Sequence, residues 1–257
     1  MFDTHVHTTF SSDSQLEIQE VLSRLDNSKL GIITTEHLDL NYPEEKLFKC
    51  DIDKYLNTYR KYRGDKLLLG IEMGLSLEKI KEFSDVERKY NFDYVLGAVH
   101  EVDGLDLYAT KELYKNYSKK EMYEKYFEYM IECVKTHPFI DSLAHIDYIC
   151  RYAEYIDTEM YYREFADHLD TVFRELIDRD ISLEINTRRL NIDSAVKNMN
   201  DLYKRYSELG GKYVTLGSDA HKVENVGANY DLAVDMANRN NLKIVYCKNR
   251  NKNFDII

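Results

Sequence analysis

The sequence predicts an α/β fold in a single domain spanning residues 1–257, built as a (β/α) barrel. Three observations carry that expectation. Short apolar runs alternate with longer amphipathic ones, the pattern of a βα-repeating chain. Seven or eight such strands fit into 257 residues, a length that closes one barrel comfortably. The Gly-rich first turn that usually opens a doubly wound sheet is missing. Ten glycines and two prolines leave little room for linkers, and no repeat, low-complexity run or composition break suggests a second domain.

The elements follow in order. Phe2–Val6 reads as the first strand, and Ser14-Gln-Leu-Glu17 matches a capping box that predicts a helix start there. Leu30–Thr35 is the second strand, followed by a long loop, Leu38–Cys50. Leu67–Glu72 and Tyr94–Val99 come next, then a second long loop, Glu101–Tyr117; loops of this length often carry function. Ser118-Lys-Lys-Glu121 is another capping box, and Tyr123, Phe127, Met130, Ile131 and Val134 form an apolar stripe at helical spacing behind it. After the strand Ser142–His145, a second stripe runs through Phe165, Leu169, Val172, Phe173, Leu176 and Ile177. Ile181–Asn186, Tyr213–Gly217 and a final run, Leu242–Cys247, complete the strands.

A net charge of −11 argues against a general nucleic-acid or anionic-membrane binder, which needs a basic face. No apolar run approaches membrane-spanning length. The first strand starts at Met1, so no secretory leader is expected. Cys50, Cys133, Cys150 and Cys247 lack Cys-x-x-Cys spacing and read as reduced, buried thiols of a cytoplasmic protein.

The chemistry is expected at the C-terminal strand ends, where barrels carry it. His5 and His7 alternate on the first strand, so both imidazoles face one space. Asp13 follows. The second strand runs into Glu36-His37, the third ends in Glu72, the fourth in His100 and the fifth in His145. The seventh gives Asp219-Ala-His221, a second alternate-residue pair. Six of the eight histidines therefore fall on one rim; His137 and His168 do not, and read as ordinary helix or surface residues. Six imidazoles and three carboxylates exceed what one ion takes and suit two or three divalent metals. Mixed N/O donors without thiolate favour Zn, Fe or Mn. Three divalent cations against three carboxylates leave a positive pit that attracts an anion, phosphate above all.

The ordered set His5-x-His7, Asp13, Glu36-His37, Gly70-Ile-Glu72, Gly97-Ala-Val-His100, His145 and Ser218-Asp219-Ala-His221 resembles the polymerase-and-histidinol-phosphatase superfamily over essentially the whole chain, and its histidinol-phosphatase branch most of all. The resemblance implies a distorted seven-stranded (β/α) barrel, TIM-like, with a trinuclear metal site. By motif, His5, His7, Glu72 and Asp219 would hold one ion. Glu72, His100 and His145 would hold the second, with Glu72 bridging, and Asp13, His37 and His221 the third. Some members carry histidine where this chain has Asp13. The branch also implies arginines over the phosphate. Arg151 stands at a suitable place, as does Arg188 or Arg189, Arg188 being favoured; a guanidinium fork matches two phosphoryl oxygens.

The implied reaction is hydrolysis of a small phosphate monoester, histidinol phosphate, by metal-bound hydroxide, with Glu72, His100 and Asp219 at the reacting centre. Glu36, Asp147 and Glu184, also near the rim, read as salt-bridged structural residues. The rivals are a phosphoesterase acting on a nucleotide or phosphotyrosine, an amidohydrolase-type metal hydrolase and a non-catalytic metal-bound module. A nuclease fits the acidic surface poorly.

Overall fold

The computed structural model describes residues 1–26 and 28–254. Its strands follow chain order as β1 Phe2–Val6, β2 Gly31–Leu38, β3 Leu67–Gly74, β4 Tyr94–Ala98, the hairpin β5 Glu101–Val102 and β6 Leu105–Asp106, β7 Ser142–Leu143, β8 Ser182–Asn186, β9 Tyr213–Gly217, β10 Lys243–Lys248 and β11 Asn251–Phe254. The helices are α1 Ile18–Asp26, α2 Ile52–Tyr59, α3 Ile80–Lys89, α4 Leu113–Asn116, α5 Lys119–Thr136, α6 Ile149–Tyr152, α7 Ala166–Asp178, α8 Asp193–Glu208 and α9 Tyr230–Arg239.

One sheet runs in the order β1-β2-β3-β4-β7-β8-β9-β10-β11, with every neighbour parallel except the closing β10–β11 hairpin. Parallel neighbours need crossovers, and the strands are buried on both faces, by the helices on one side and by one another's side chains on the other. The alternation is visible in β3. Leu67, Leu69, Ile71 and Met73 join the large helix-side core, whereas Leu68 faces Phe2, Ile33, Tyr94, Leu96, Ala98, Ala144 and Cys247 on the other side. Each such fully buried aliphatic or aromatic side chain contributes about 1.5–3 kcal/mol.

Beyond Gly217 the chain turns back toward β1. Val6 and Ala220 form a parallel bridge, in which His7 N donates to Ala220 O at 2.9 Å and Ala220 N to His5 O at 3.3 Å. At the opposite end β10 pairs with β9 through Lys243–Tyr213 and Ile244–Val214, and Tyr246 stacks on Phe2 at 4.1 Å between centroids.

Both helical stripes are buried as expected: the α5 stripe packs on that of α7, Tyr123 and Phe127 each standing 5.5 Å from the Phe165 ring. The Ser118 capping box forms in full. The one at Ser14 does not. α1 begins only at Ile18, because the Ser14 hydroxyl donates to His7 O (2.8 Å) and to His221 O (3.2 Å), tying two site loops together instead of capping a helix. The Glu101–Tyr117 segment is more regular than the loop expected from the sequence. It holds the β5–β6 hairpin, turned by Asp103 and Gly104, both at positive φ, and then α4. β2 runs on through Leu38, past the expected Thr35 end, and so carries His37 within the strand. β7 is shorter than expected, stopping at Leu143, so His145 lies beyond it.

Candidate metal centre

Parallel strands all deliver their C-terminal ends to one side, and all nine candidate ligands meet there. Glu72, fully buried on β3, sits in the middle. Its Oε1 lies 3.2 Å from His5 Nε2, 3.0 Å from His145 Nε2 and 3.5 Å from His100 Nε2. Its Oε2 lies 2.8 Å from His37 Nδ1 and 3.5 Å from His7 Nε2. One carboxylate thus addresses five imidazoles. Asp219 Oδ1 is 3.5 Å from His7 Nε2 and 3.7 Å from His5 Nε2. Asp13 Oδ2 reaches His221 Nε2 at 2.9 Å and His37 Nε2 at 3.5 Å. Asp219 sits at φ 55, the left-handed region that few L residues adopt, in the turn that returns the chain to β1.

These contacts are mostly not hydrogen bonds. His5 Nε2, His7 Nε2, His37 Nδ1, His145 Nδ1 and Glu72 Oε2 are buried yet make none of acceptable geometry. Buried polar atoms without partners are costly, and lone pairs converging on common points are what a cation satisfies. Among the described residues, four groups have ligand atoms within 4.8 Å of one another: His5, His7 and Asp219; His5, Glu72 and His145; His7, His37 and His221; and His37, Asp39 and His100. The donor set therefore fits divalent metal. Carboxylates and imidazoles counter-charge one another here: against burial, Glu184 and Glu72 hold His5, Glu72 and Asp13 hold His37, and Asp39 and Glu72 hold His100 well above the ordinary imidazole value. Burial opposes ionisation of Glu72, but His5, His37 and His100 outweigh it and hold the carboxyl well below its usual range. Asp219 is likewise held low against burial by His5, Arg151, His7 and Arg188. Burial, with His37 and His221 alongside, drives His7 well below the ordinary imidazole value, leaving it neutral as a ligand must be.

A cavity of about 700 Å³ opens onto this centre, walled by Tyr42, Phe48, Asp106, Tyr108, Tyr152 and Arg188. The two long sequence loops contribute Asp39, Tyr42, Phe48, Asp106 and Tyr108 to its lining. Of the arginines, Arg151 is buried, its Nη1 donating to Asp219 Oδ2 at 2.5 Å and its Nη2 to Asn186 Oδ1 at 2.8 Å. Arg188 is half-exposed on the cavity wall, 3.4 Å from Asp219 Oδ2. Arg189 points elsewhere, into Asp147 and Glu159, each at 2.7 Å.

Asp147 and Glu184 are ion-paired as expected, Asp147 with Arg189 and Glu184 Oε1 with His5 Nδ1 at 2.8 Å, whereas Glu36 departs from the expectation and accepts hydrogen bonds from the Thr8 and Ser11 hydroxyls. Asp39, which no sequence motif singles out, stands 2.6 Å from His100 Nδ1. His137 and His168 lie away from the centre, the first buried with its Nδ1 on Cys133 O, the second 3.7 Å from Glu128.

Comparison with known proteins gives one consistent answer. A "Probable histidinol-phosphatase" from Clostridium acetobutylicum is 50% identical over 250 residues, covering 97% of this chain and 98% of that protein. A "Histidinol-phosphatase" from Lactococcus lactis is 29% identical over 225 residues, covering 85% and 83%. The crystal structure of a histidinol phosphate phosphatase from Lactococcus lactis, complexed with zinc, L-histidinol and phosphate, superposes with a TM-score of 0.91 at 25% identity over 98% of both chains. The PHP domain model matches residues 3–188, which hold seven of the nine candidate ligands, and the chain belongs to the PHP domain family.

Proposed function

We propose that this chain is a histidinol-phosphatase, converting L-histidinol phosphate and water to L-histidinol and phosphate within histidine biosynthesis. The observation that carries it is the convergence of nine ligand-type side chains, Glu72 at their centre, beneath a cavity of substrate size, in a chain half identical to a probable histidinol-phosphatase along its length. We read the fold as a distorted seven-stranded barrel, one domain over 1–257. The Val6–Ala220 bridge supports closure, with β10 and β11 filling the gap at the other end.

Three divalent ions of Zn, Fe or Mn fit the donors. His5, His7, Glu72 and Asp219 would hold one, Glu72, His100 and His145 a second, and Asp13, His37 and His221 a third. When bound, such ions supply an activated water and neutralise phosphoryl oxygens. The chain's own groups do the rest. Arg188, half-exposed on the wall, and Arg151, whose buried Nε makes no hydrogen bond, offer donors to the phosphoryl oxygens. Arg151 also fixes Asp219 and Asn186. Asp106 and Glu224 give the cavity negative charge that suits the amine of histidinol, and Tyr108 and Tyr152 give faces for its imidazole. The four free, buried thiols suit a reducing cytoplasm.

A panel of phosphate esters on metal-loaded protein tests the reading. Histidinol phosphate should exceed nucleotides, phosphotyrosine and sugar phosphates in kcat/KM by at least about a hundredfold. A nucleotide or phosphotyrosine leading the panel would keep the site and reassign the substrate.

A further inference from the structure

We propose that three buried carboxylates outside the ligand set, Glu184, Asp39 and Glu36, form an outer ring that fixes the tautomer and orientation of His5, His100 and His7. The inference rests on the metal-centre reading above. Glu184 Oε1 stands 2.8 Å from His5 Nδ1, and Asp39 Oδ1 stands 2.6 Å from His100 Nδ1. The third link has one intermediary. Ser11 Oγ donates to Glu36 Oε2 at 2.6 Å and lies 3.1 Å from His7 Nδ1, so its remaining role toward the ring is acceptor. An ionised carboxylate only accepts. A neutral imidazole so placed carries its proton on Nδ1 and presents the Nε2 lone pair. All three Nε2 atoms face Glu72, at 3.2 Å from His5 and 3.5 Å from His7 and His100.

Two glycines show that the ring is built into the backbone. A Cβ on Gly74 would lie 2.0 Å from Asp39 Oδ1, and one on Gly217 would lie 2.0 Å from Glu184 Oε1. Neither glycine has positive φ, so neither is required for a turn. They are required for room. The carboxylates occupy space that any side chain at the end of β3 or β9 would take. Nor are they ordinary core ion pairs: Glu184 spends its Oε2 on His145 N (2.8 Å) and Asn186 Nδ2 (3.0 Å), holding a further ligand segment in place. Outer partners of this kind typically carry 10–100-fold in metal affinity.

Chelator competition with zinc, read by metal content, tests this on Asp39→Asn, Asp39→Ala, Glu184→Gln and Gly74→Ala. Thermal melts of the stripped and loaded forms accompany it. The expected result is a zinc affinity about tenfold or more below the parent for Asp39→Asn and Glu184→Gln. Asp39→Ala should fall further, because the Asn oxygen still accepts from Nδ1. Gly74→Ala should reproduce the loss without removing a polar group. For the isosteric variants Asp39→Asn and Glu184→Gln the zinc-dependent gain in Tm should shrink more than the Tm of the stripped protein falls. Affinities within twofold of the parent for both isosteric variants would overturn the proposal. So would equal drops in Tm with and without zinc, the mark of a merely structural role. A parent that binds no zinc fails the metal-centre reading itself, a separate result.

Discussion

Glu72 has no exposed surface and lies within 3.5 Å of five imidazole nitrogens, so no other side chain can replace its charge. Glu72→Ala is expected to fold, lose most bound metal and lose nearly all turnover, on the order of 10³-fold or more, since removed transition-state electrostatics of one donor alone costs 10²–10³. Full metal content with near-normal kcat would remove Glu72 from the centre. Arg188 is different in kind: it is half-exposed and only loosely paired. Arg188→Ala should raise KM by about tenfold and leave metal content intact, the cost of one charge-assisted hydrogen bond. Asp106 separates substrate from chemistry. Its Oδ1 is held by the amides of Tyr108 and Ala109, so the carboxyl is fixed against the cavity. Asp106→Asn should raise KM for histidinol phosphate several-fold yet spare an aryl phosphate that has no amine. Equal effects on both would mean Asp106 shapes the wall only.

The elements convert these side chains into a site because parallel strands end together and their alternate residues share a face. His37 on β2 is in register with Glu72 on β3, which places the two beside each other without any contribution from the loops. The segments after β7 and β8 are tied together from below. Arg189, nearly buried, bridges Asp147 ahead of α6 and Glu159, which also accepts from Ser194 and Asn198 on α8. Removing one member of a buried pair strands the other, at about 3–5 kcal/mol. Arg189→Ala should therefore lower stability in urea by that order, and its KM should change less than that of Arg188→Ala. A stable Arg189→Ala with a raised KM would exchange the roles of the two neighbours.

At the scale of the molecule, a protein of net charge −11 concentrates unpartnered imidazole and carboxylate atoms in one buried centre, so the folded state and metal binding are linked. Ligands that bind only the folded form stabilise it by mass action, about 4 kcal/mol at a thousandfold excess over Kd. For a chain of this length that is a rise in Tm of about 10 °C on loading. Stripped and reloaded protein measured side by side gives the number, and an unchanged Tm would mean that the centre holds its ions too weakly to matter. The convergence of the candidate ligands was legible in the sequence. His5 and His7, or Asp219 and His221, announce a shared face by their spacing alone, and recurrence at strand ends makes chance a poor explanation. Asp39, and the partner of Glu184, were not legible. The partners of these two carboxylates lie 61 and 179 residues away, and their roles depend on two glycines that read as ordinary strand residues. Ser14 was misread for a similar reason: a helix-capping pattern was outbid by carbonyls of His7 and His221, the second of them 207 residues off.

What the sequence determined by itself is therefore local and periodic: which runs become strands and helices, which faces are apolar, and which residues end each strand with a donor atom. Tertiary structure alone decided which distant groups touch. It put Arg188 rather than Arg189 on the cavity, gave the imidazoles their outer carboxylates, and brought Ala220 back to β1. Those outcomes depend on packing distances of a few ångströms between segments far apart in the chain, and side-chain periodicity carries no information about them.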